Sequence, residues 1–303
     1  MSNYKNTTET AAPHSRPYWV ELLGASIGQI QGKYRSRVLQ AGQGPVLFLL
    51  HGTGGHLENY ILNIAALSRH FRVIALDFLW HGLSQTEGYQ DEIIPALVDQ
   101  VIDVANALGI ERFHVEGQSL GGWVAMRLAM THPERVERVI LTTTMGYQPE
   151  AGAIDGYVEP DWSANLPSSL EVLRDPSVEN VRSRMARILA NPDKLTTEAV
   201  LVRQAIYQQA ALSQVQQRFI TEYLGLGPSI SKHIVRDADL PRIKQPVLVY
   251  WGDKNRTPPS LGARLAAGVG NGRMHCAANT GHWAQFESAA EHNAVVTAFL
   301  HES

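Results

Sequence analysis

The stretch Val115-Glu116-Gly117-Gln118-Ser119-Leu120-Gly121-Gly122 decides the fold class of this chain, because it sets one serine between two glycines. It joins a short extended run, residues 113–115, to a segment with apolar residues at helical spacing, residues 120–130. At such a strand-to-helix turn the serine takes a strained backbone conformation, and the glycines let the two elements approach each other. The pattern predicts a serine hydroxyl at a helix N-terminus, where free N–H groups stabilise an oxyanion. A chain with 25 glycines also produces Gly-x-Ser-x-Gly by chance, so the surrounding sequence has to decide.

The surrounding sequence alternates short apolar runs with helical patterns from about residue 46 to residue 144. This rhythm is typical of an α/β fold with a mostly parallel central sheet. Residues 18–39 look like a pair of strands, which would extend the sheet with an antiparallel edge. Both observations predict that Ser119 lies at the carboxyl end of a central strand.

A helical block interrupts this rhythm between residues 146 and 236, with long helical patterns such as 178–190 and 197–223 and no convincing strand. The sheet pattern then returns at residues 246–251, followed by a short strand near 273–276 and a final helix over 287–300. We therefore predict a core domain of residues 18–145 and 237–303, a helical cap of residues 146–236 and a polar N-terminal tail of residues 1–17.

Composition narrows the class of function. At 303 residues with 44% hydrophobic side chains, the chain can bury a large core. A net charge of −3 and the lack of a dense basic run argue against nucleic acid, so we expect a small-molecule substrate. The single cysteine, Cys276, excludes an internal disulfide, residues 1–17 lack the apolar centre of a signal peptide, and no apolar run approaches membrane-spanning length. We expect a cytoplasmic protein with no membrane partner.

A serine nucleophile needs a general base, which a distant part of the chain has to supply. Among the 12 histidines, His282 alone lies in a loop between the last predicted strand and the last helix. That loop belongs to the sheet edge at which open α/β folds bind ligands. No histidine has a metal-ligand spacing such as H-E-x-x-H, so we expect neither a metal nor an organic cofactor.

The glycine-rich turn Leu50-His51-Gly52-Thr53-Gly54-Gly55 follows the first buried strand. Its N–H groups near Thr53 and Gly54, with the N–H of Leu120, would complete an oxyanion hole. A dinucleotide-binding loop is the alternative. It fails on spacing, because no glycine stands three residues after Gly54 and no helix begins directly there.

In this order, the glycine turn, Ser119 and His282 resemble the α/β-hydrolase fold, from about Tyr18 onward. More narrowly, the chain resembles the carbon–carbon bond hydrolases that cleave ring-fission (meta-cleavage) products of aromatic degradation. The most specific mark is Gly281-His282-Trp283-Ala284-Gln285-Phe286-Glu287, close to that family's G-H-W-A-Q-W-E. Further marks are Asn59-Tyr60 with Asn63, as in its N-[FY]-x-x-N, and Leu195-Thr196 followed by Arg203.

The resemblance implies a role for each matching residue. Ser119 would be the nucleophile and His282 the base, Asn59 and Arg203 would hold the dienoate head of the substrate, and Trp283 would form an aromatic wall of the pocket. It also implies dienol-to-keto conversion before the carbon–carbon bond breaks, and a homodimer. The residues themselves allow structural alternatives: Arg203 in a surface ion pair, Trp283 in the core, and Asn59 as the cap of the helix that follows it.

The chain departs from the family pattern at the acid. The family's W-G-x-x-D is matched by Trp251-Gly252-Asp253-Lys254-Asn255, so the acid position holds Asn255. An amide can orient the imidazole but cannot stabilise imidazolium as a carboxylate does, so we expect slower catalysis. Asp253 could substitute if the loop is remodelled, whereas the other acid position, residues 142–144, holds three threonines. A second departure is Gln118, which replaces the asparagine of the family's G-N-S.

We therefore predict a serine-dependent hydrolase of a small organic substrate, with cleavage of a carbon–carbon bond in a 2-hydroxy-6-oxo-dienoate as the leading reaction. A carboxylesterase, lactonase or amidase is the alternative among enzymes. A non-catalytic ligand-binding protein on a hydrolase scaffold is the alternative from another class, because Asn255 occupies the acid position.

Overall fold

The structure, a computed structural model, describes residues 17–302. Ten strands form within this range: β1 (Ser26–Gln31), β2 (Arg35–Ala41), β3 (Val46–Leu50), β4 (Arg72–Leu76), β5 (Phe113–Gln118), β6 (Val136–Thr142), β7 (Tyr147–Gln148), β8 (Val235–Arg236), β9 (Val247–Gly252) and β10 (Gly272–Ala277). Eight of them build one sheet in the order β1-β2-β4-β3-β5-β6-β9-β10. The pairs β1·β2 and β2·β4 are antiparallel and the other pairs of this sheet are parallel. The predicted mostly parallel sheet with an antiparallel edge is confirmed.

The central strands are apolar because both faces of the sheet are covered. In β3, Leu47 and Leu49 belong to one buried cluster, while Phe48 and Leu50 belong to the cluster on the opposite face. This two-residue alternation is the geometry of a strand. By contrast, the edge strand β1 is mostly exposed.

Besides four short 3-10 helices, twelve α-helices form within residues 17–302: α1 (Tyr18–Glu21), α2 (Ile61–Leu67), α3 (Ile93–Ala107), α4 (Leu120–Thr131), α5 (Leu166–Arg174), α6 (Val178–Ala186), α7 (Thr197–Tyr207), α8 (Ala210–Leu224), α9 (Pro228–Ser231), α10 (Pro259–Gly268), α11 (Ala284–Glu287) and α12 (Ala289–Leu300). Among the helices that cover the sheet, α4 packs on β5 and β6, and α10 packs on β9 and β10. None of the described helices is long and apolar enough to cross a membrane.

The block of residues 146–236, which we call the cap, carries α5 to α9. Two details differ from the sequence-based expectation of long helices without a strand. The chain enters and leaves the cap through the short parallel ribbon β7·β8, in which Tyr147 pairs with Val235. The helix expected over residues 197–223 is two helices, because Gln209 adopts an extended backbone conformation between them. The division into core and cap stays a prediction.

Two predictions concern the N-terminal part of the chain. The pair of strands expected over residues 18–39 consists of β1 and β2, but residues Tyr18–Glu21 form a short helix instead of the start of a strand. Residues 1–16 of the predicted polar tail lie outside the described residues.

Candidate active site

Ser119 sits at the sharp turn between β5 and α4, with φ 55° and ψ −115°. A positive φ in a residue other than glycine costs about 1–3 kcal/mol and needs support from its surroundings. The two glycines explain why the turn can be so tight. A Cβ on Gly117 would lie 2.1 Å from the Gly121 carbonyl carbon, and one on Gly121 would lie 2.1 Å from the Leu50 carbonyl oxygen. The side chain of Ser119 therefore stands at the carboxyl edge of the sheet, where it lines a cavity of about 350 Å³.

His282 lines the same cavity from the loop between β10 and α11. The backbone N–H of His282 donates to the carbonyl of Ile188 in the cap at 2.8 Å. Its carbonyl accepts from Gln118 Nε2 at 3.0 Å and from Thr143 Oγ1 at 2.6 Å. Burial lowers the pKa of the imidazole from 6.5 to about 4, so the ring is neutral at pH 7.

Asn255, not Asp253, faces the imidazole. Asn255 Oδ1 lies 2.9 Å from His282 Nδ1 and also accepts from the backbone N–H of Arg256 at 2.9 Å. Since a backbone N–H only donates, the atom facing both groups is the amide oxygen, and His282 Nδ1 carries the proton. His282 Nε2 is then the unprotonated nitrogen, as a general base requires. Asp253 accepts from the Thr280 N–H at 3.1 Å instead, and so holds the loop.

The residues predicted to form an oxyanion hole belong to the glycine turn after β3 and to the first turn of α4. Gly52 to Gly55 form a tight turn closed by a 2.9 Å hydrogen bond from the Gly55 N–H to the Gly52 carbonyl, and Gly54 has φ 67°. Tyr207 of the cap donates to the Gly54 carbonyl at 2.6 Å, which fixes the orientation of that peptide. Thr53 lines the cavity. Leu120 is the first residue of α4, so its N–H has no acceptor within the helix.

Arg203, predicted to bind substrate, is buried with only 3% of its surface exposed. Its Nη2 donates to Asn59 Oδ1 at 2.6 Å, while its Nε has no hydrogen-bond partner among the described residues. Burial is the largest cause of the lowered pKa of this guanidinium, and the nearby charge of Arg184 lowers it further. No carboxylate within residues 17–302 forms an ion pair with Arg203, so the surface ion-pair alternative does not describe it.

Trp283 does not line the cavity. It lies behind the arginine, with its indole ring 5.7 Å from the Arg203 guanidinium carbon and stacked on Phe286 at 4.2 Å. Its Nε1 donates to the carbonyl of Asn59 at 3.0 Å. The structure therefore brings Asn59, Arg203 and Trp283 together, but Trp283 supports the other two from the core and does not form a wall of the pocket.

The charged residues that line the cavity are all basic. None of the residues that line it is an aspartate or a glutamate. Five of them are cationic: Arg184, Arg187, Arg203, Lys254 and Arg256.

These cations differ in how far their charge is compensated. Lys254 Nζ lies 3.7 Å from the Asp253 carboxylate, and Glu171 is close enough to Arg187 for their charges to interact. Arg184 donates to the Ser169 hydroxyl at 2.7 Å but, like Arg203, forms no ion pair with a carboxylate in the described part of the chain. Arg256 also forms no ion pair within residues 17–302, but its charge interacts with that of Asp161. Arg184 and Arg203 are therefore the two guanidinium groups of the cavity for which we find no carboxylate partner in the described residues.

Glu287 is a positioning residue to which the sequence assigned no role. Its Oε2 accepts from the Gly281 N–H at 2.7 Å, and its Oε1 accepts from the N–H groups of Ala190 and Asn191 at 2.9 and 3.0 Å. One carboxylate thus ties the His282 loop to the cap. Glu287 is the last residue of the motif that begins at Gly281, so the sequence marks the position. Its role could not be predicted, because Ala190 and Asn191 lie 97 and 96 residues earlier in the chain.

No group of three or more His, Cys, Asp or Glu side chains within residues 17–302 is arranged to hold a metal ion. The groups gathered around the cavity are instead a hydroxyl, a neutral imidazole, backbone N–H groups and guanidinium groups. This set suits nucleophilic attack on a carbonyl in an anionic substrate.

The chain belongs to the α/β-hydrolase fold family, whose model matches residues 45–289, and it is a hydrolase. More specifically, its relatives include 2-hydroxy-6-oxo-dienoate (meta-cleavage product) hydrolases, so the predicted resemblance is confirmed. The chain is 30% identical to the 2-hydroxy-6-oxononadienedioate/2-hydroxy-6-oxononatrienedioate hydrolase of Paraburkholderia xenovorans (strain LB400), covering 90% of this chain and 91% of the relative. It is 29% identical to the 2-hydroxy-6-oxo-6-phenylhexa-2,4-dienoate hydrolase of Comamonas testosteroni, covering 87% and 90%.

A solved structure has the same fold. The 2-hydroxy-6-oxo-6-phenylhexa-2,4-dienoate hydrolase from Rhodococcus sp. strain RHA1 superposes with a TM-score of 0.79 at 24% identity, over 92% of this chain and 100% of that one. At this identity the likeness describes the fold alone.

Proposed function

We propose that the protein is a serine-dependent hydrolase that cleaves a carbon–carbon bond in a 2-hydroxy-6-oxo-dienoate. The observation that carries this proposal is Arg203, a buried guanidinium without a carboxylate partner, hydrogen-bonded to Asn59 in the cavity that Ser119 and His282 also line. Burying an unpaired charge is costly, so a site that retains one is built for an anion. The carboxylate of a dienoate supplies that anion.

The two guanidinium groups without a carboxylate partner also favour a dienoate that carries two carboxylates. Arg203 and Arg184 are both without an ion-pair partner in the described residues, and they repel each other. A substrate with two carboxylates would neutralise both guanidinium groups. The relative from Paraburkholderia xenovorans is named for dioate substrates, and we propose a dicarboxylate for this chain too.

The reaction begins with conversion of the dienol to the keto form. Ser119 Oγ then attacks the ketone carbon and its proton passes to His282 Nε2, while the carbonyl oxygen becomes an oxyanion held by the N–H groups near Thr53, Gly54 and Leu120. Collapse of this intermediate re-forms the carbonyl on the acyl group and breaks the carbon–carbon bond. The bonding electrons pass through the conjugated chain to the 2-oxo oxygen, which takes the proton held on His282 Nε2, so that a 2-hydroxydienoate departs. Water then hydrolyses the acyl group on Ser119 to release an acid.

The test is a panel of yellow ring-fission products, followed by loss of visible absorbance, with p-nitrophenyl esters alongside. We expect turnover of the dienoates, with kcat/KM at least about tenfold higher for the nonadienedioate than for the 6-phenyl dienoate. A charge-assisted hydrogen bond contributes about 1.5–3 kcal/mol, and tenfold corresponds to about 1.4 kcal/mol. Activity on esters alone would reject carbon–carbon cleavage and favour the esterase, lactonase or amidase alternative.

The nucleophile is tested separately. We expect Ser119→Ala to lose about a thousandfold or more in kcat and to lose labelling by a fluorophosphonate, whereas Ser183→Ala, on the exposed side of α6, keeps both. If folded wild-type protein forms no adduct on Ser119, then Ser119 is not an activated nucleophile and the non-catalytic alternative gains weight. The cytoplasmic location and the homodimer remain predictions from the sequence.

A further inference from the structure

Two buried hydroxyl groups near Ser119 have no hydrogen-bond partner among the described residues. They are Tyr223 Oη, on α8 of the cap, and Thr53 Oγ1, in the glycine turn. Both residues line the cavity together with Ser119. An unsatisfied buried hydroxyl costs about 1–3 kcal/mol, and native proteins keep few of them. Because both hydroxyls line the cavity that Ser119 lines, a substrate oxygen bound there can supply the missing partner.

The position of the Tyr223 hydroxyl is fixed by the packing of its ring. The ring stacks on Phe219, one turn earlier on α8, with centroids 5.8 Å apart, and lies 6.1 Å from the ring of Trp123 on α4. Only 4% of the residue is exposed. A tyrosine clamped between the cap and the core helix that follows Ser119 presents its hydroxyl without a further cost in side-chain entropy.

The Tyr223 hydroxyl stays protonated and lies close to Ser119, so it can donate a hydrogen bond at the reacting atoms. Burial raises the pKa of Tyr223 to about 12, although the hydroxyls of Thr53 and Ser119 stand close enough to lower it in part. Neither of them reaches full hydrogen-bonding geometry with Tyr223 Oη. The phenol is therefore protonated at neutral pH, and its proton is available to a third oxygen placed between these groups.

We propose that Tyr223 is a catalytic residue, whose hydroxyl donates a hydrogen bond to the substrate oxygen that becomes negatively charged when Ser119 attacks. This inference rests on the proposed function. In that step the Ser119 Oγ–carbon bond forms, the π electrons of the carbonyl move to its oxygen, and the Ser119 proton goes to His282 Nε2. Tyr223 keeps its proton throughout and adds a side-chain donor to the backbone N–H groups of the oxyanion hole. The cap thus adds stabilisation of the oxyanion, which is a different charge from the imidazolium that Asn255 supports less well than a carboxylate would.

The test is Tyr223→Phe, which removes the hydroxyl and leaves the ring packing. Loss of one oxyanion donor costs about 100- to 1000-fold in kcat where it is essential, so for a supplementary donor we expect a fall of about 10- to 100-fold with KM changed less than about threefold. The melting temperature should stay the same or rise, because the variant removes an unsatisfied buried group. Tyr89→Phe is the matched control. Its hydroxyl contacts Glu222, the neighbour of Tyr223 on α8, so a general weakening of this helix would lower its activity too.

A second measurement does not depend on the identity of the substrate. The rate at which a fluorophosphonate labels Ser119 should fall about tenfold in Tyr223→Phe and stay within twofold of wild type in Tyr89→Phe. If labelling slows in this way while no dienoate is cleaved, the role of Tyr223 holds and the proposed substrate class fails. If labelling and turnover both remain within twofold of wild type, Tyr223 is not a catalytic donor, even if Ser119→Ala is inactive.

Discussion

The two sides of the cavity differ in where charge is placed. On the side that we propose to be catalytic, His282 Nδ1 faces the neutral amide of Asn255 at 2.9 Å. On the side that we propose to bind substrate, Arg203 carries a charge that no carboxylate in the described residues compensates. The imidazole of His282 therefore has no carboxylate to stabilise its protonated form, whereas the guanidinium of Arg203 is buried at a cost in free energy. This difference fits the proposal that an anionic substrate compensates Arg203, while the base works without a carboxylate partner.

This contrast predicts opposite trade-offs between activity and stability on the two sides. An unpaired buried charge destabilises the fold, so its removal should harm function and spare stability. A carboxylate introduced beside His282 should instead raise activity and lower the stability of the fold. Substitutions on the two sides of the cavity test this expectation.

Arg203→Gln should have the largest effect. Removing one partner of a buried ion pair with substrate costs about 2–5 kcal/mol, so we expect kcat/KM for dienoates to fall at least about 30-fold, mainly through KM. The melting temperature should be unchanged or higher, because the free protein loses an uncompensated charge. Steady-state kinetics and thermal unfolding measure both.

The control for this variant is Arg182→Gln. Arg182 is on the same cap but bonds to Leu195 and Thr197 away from the cavity, so its loss should leave kcat/KM within about twofold. A KM for Arg203→Gln close to that of wild type would remove Arg203 from substrate binding.

Asn255→Asp should have an intermediate effect of the opposite sign. A carboxylate at Nδ1 stabilises imidazolium, so we expect ester and dienoate turnover at pH 7 to rise by about tenfold and the pKa of His282 to move up from about 4. A modest loss of stability should accompany the change, because the Asn255 Nδ2 bond to Thr257 is lost and a charge is buried. The measurements are kcat at pH 7 and the pH profile.

Asp253→Asn is the control, since it changes a carboxylate in the same loop that faces the Thr280 N–H and not the imidazole. If turnover falls in Asn255→Asp while the protein stays folded, the amide is required for the reaction and the contrast between the two sides is wrong.

The sequence could predict the parts of the site that depend on contiguous motifs. The turn at Ser119 follows from Gly117 and Gly121, because only glycine permits the close approach of β5, β3 and α4. The loop of His282 follows from its place between the last strand and the last helices. The sheet follows from apolar runs whose residues alternate between two buried faces.

The remaining parts depend on contacts between distant segments. Asn255 and Asp253 stand two residues apart in one loop, and the choice between them is made by the turn that places the Arg256 N–H on the amide oxygen. Tyr223 has the helical spacing of a core residue, and only the three-dimensional structure reveals that its hydroxyl is unsatisfied. The expected helix over residues 197–223 contains neither glycine nor proline at its break, so propensity gave no signal.

The smallest expected effect is that of moderate acid on wild-type activity. Because burial lowers the pKa of His282 to about 4, kcat/KM for a neutral ester should change less than about twofold between pH 8 and pH 5.5 and fall to half near pH 4. Stability should behave differently. An unfolded histidine takes up a proton near pH 6.5 and the folded one only near pH 4, so this group destabilises the fold progressively as the pH falls through that window, by about 3 kcal/mol at its lower end. Urea unfolding at each pH separates the effect on stability from the effect on activity. If activity falls with a pKa near 6.5 while the protein is still folded, the imidazole of His282 is as well solvated or as well paired as in an ordinary triad.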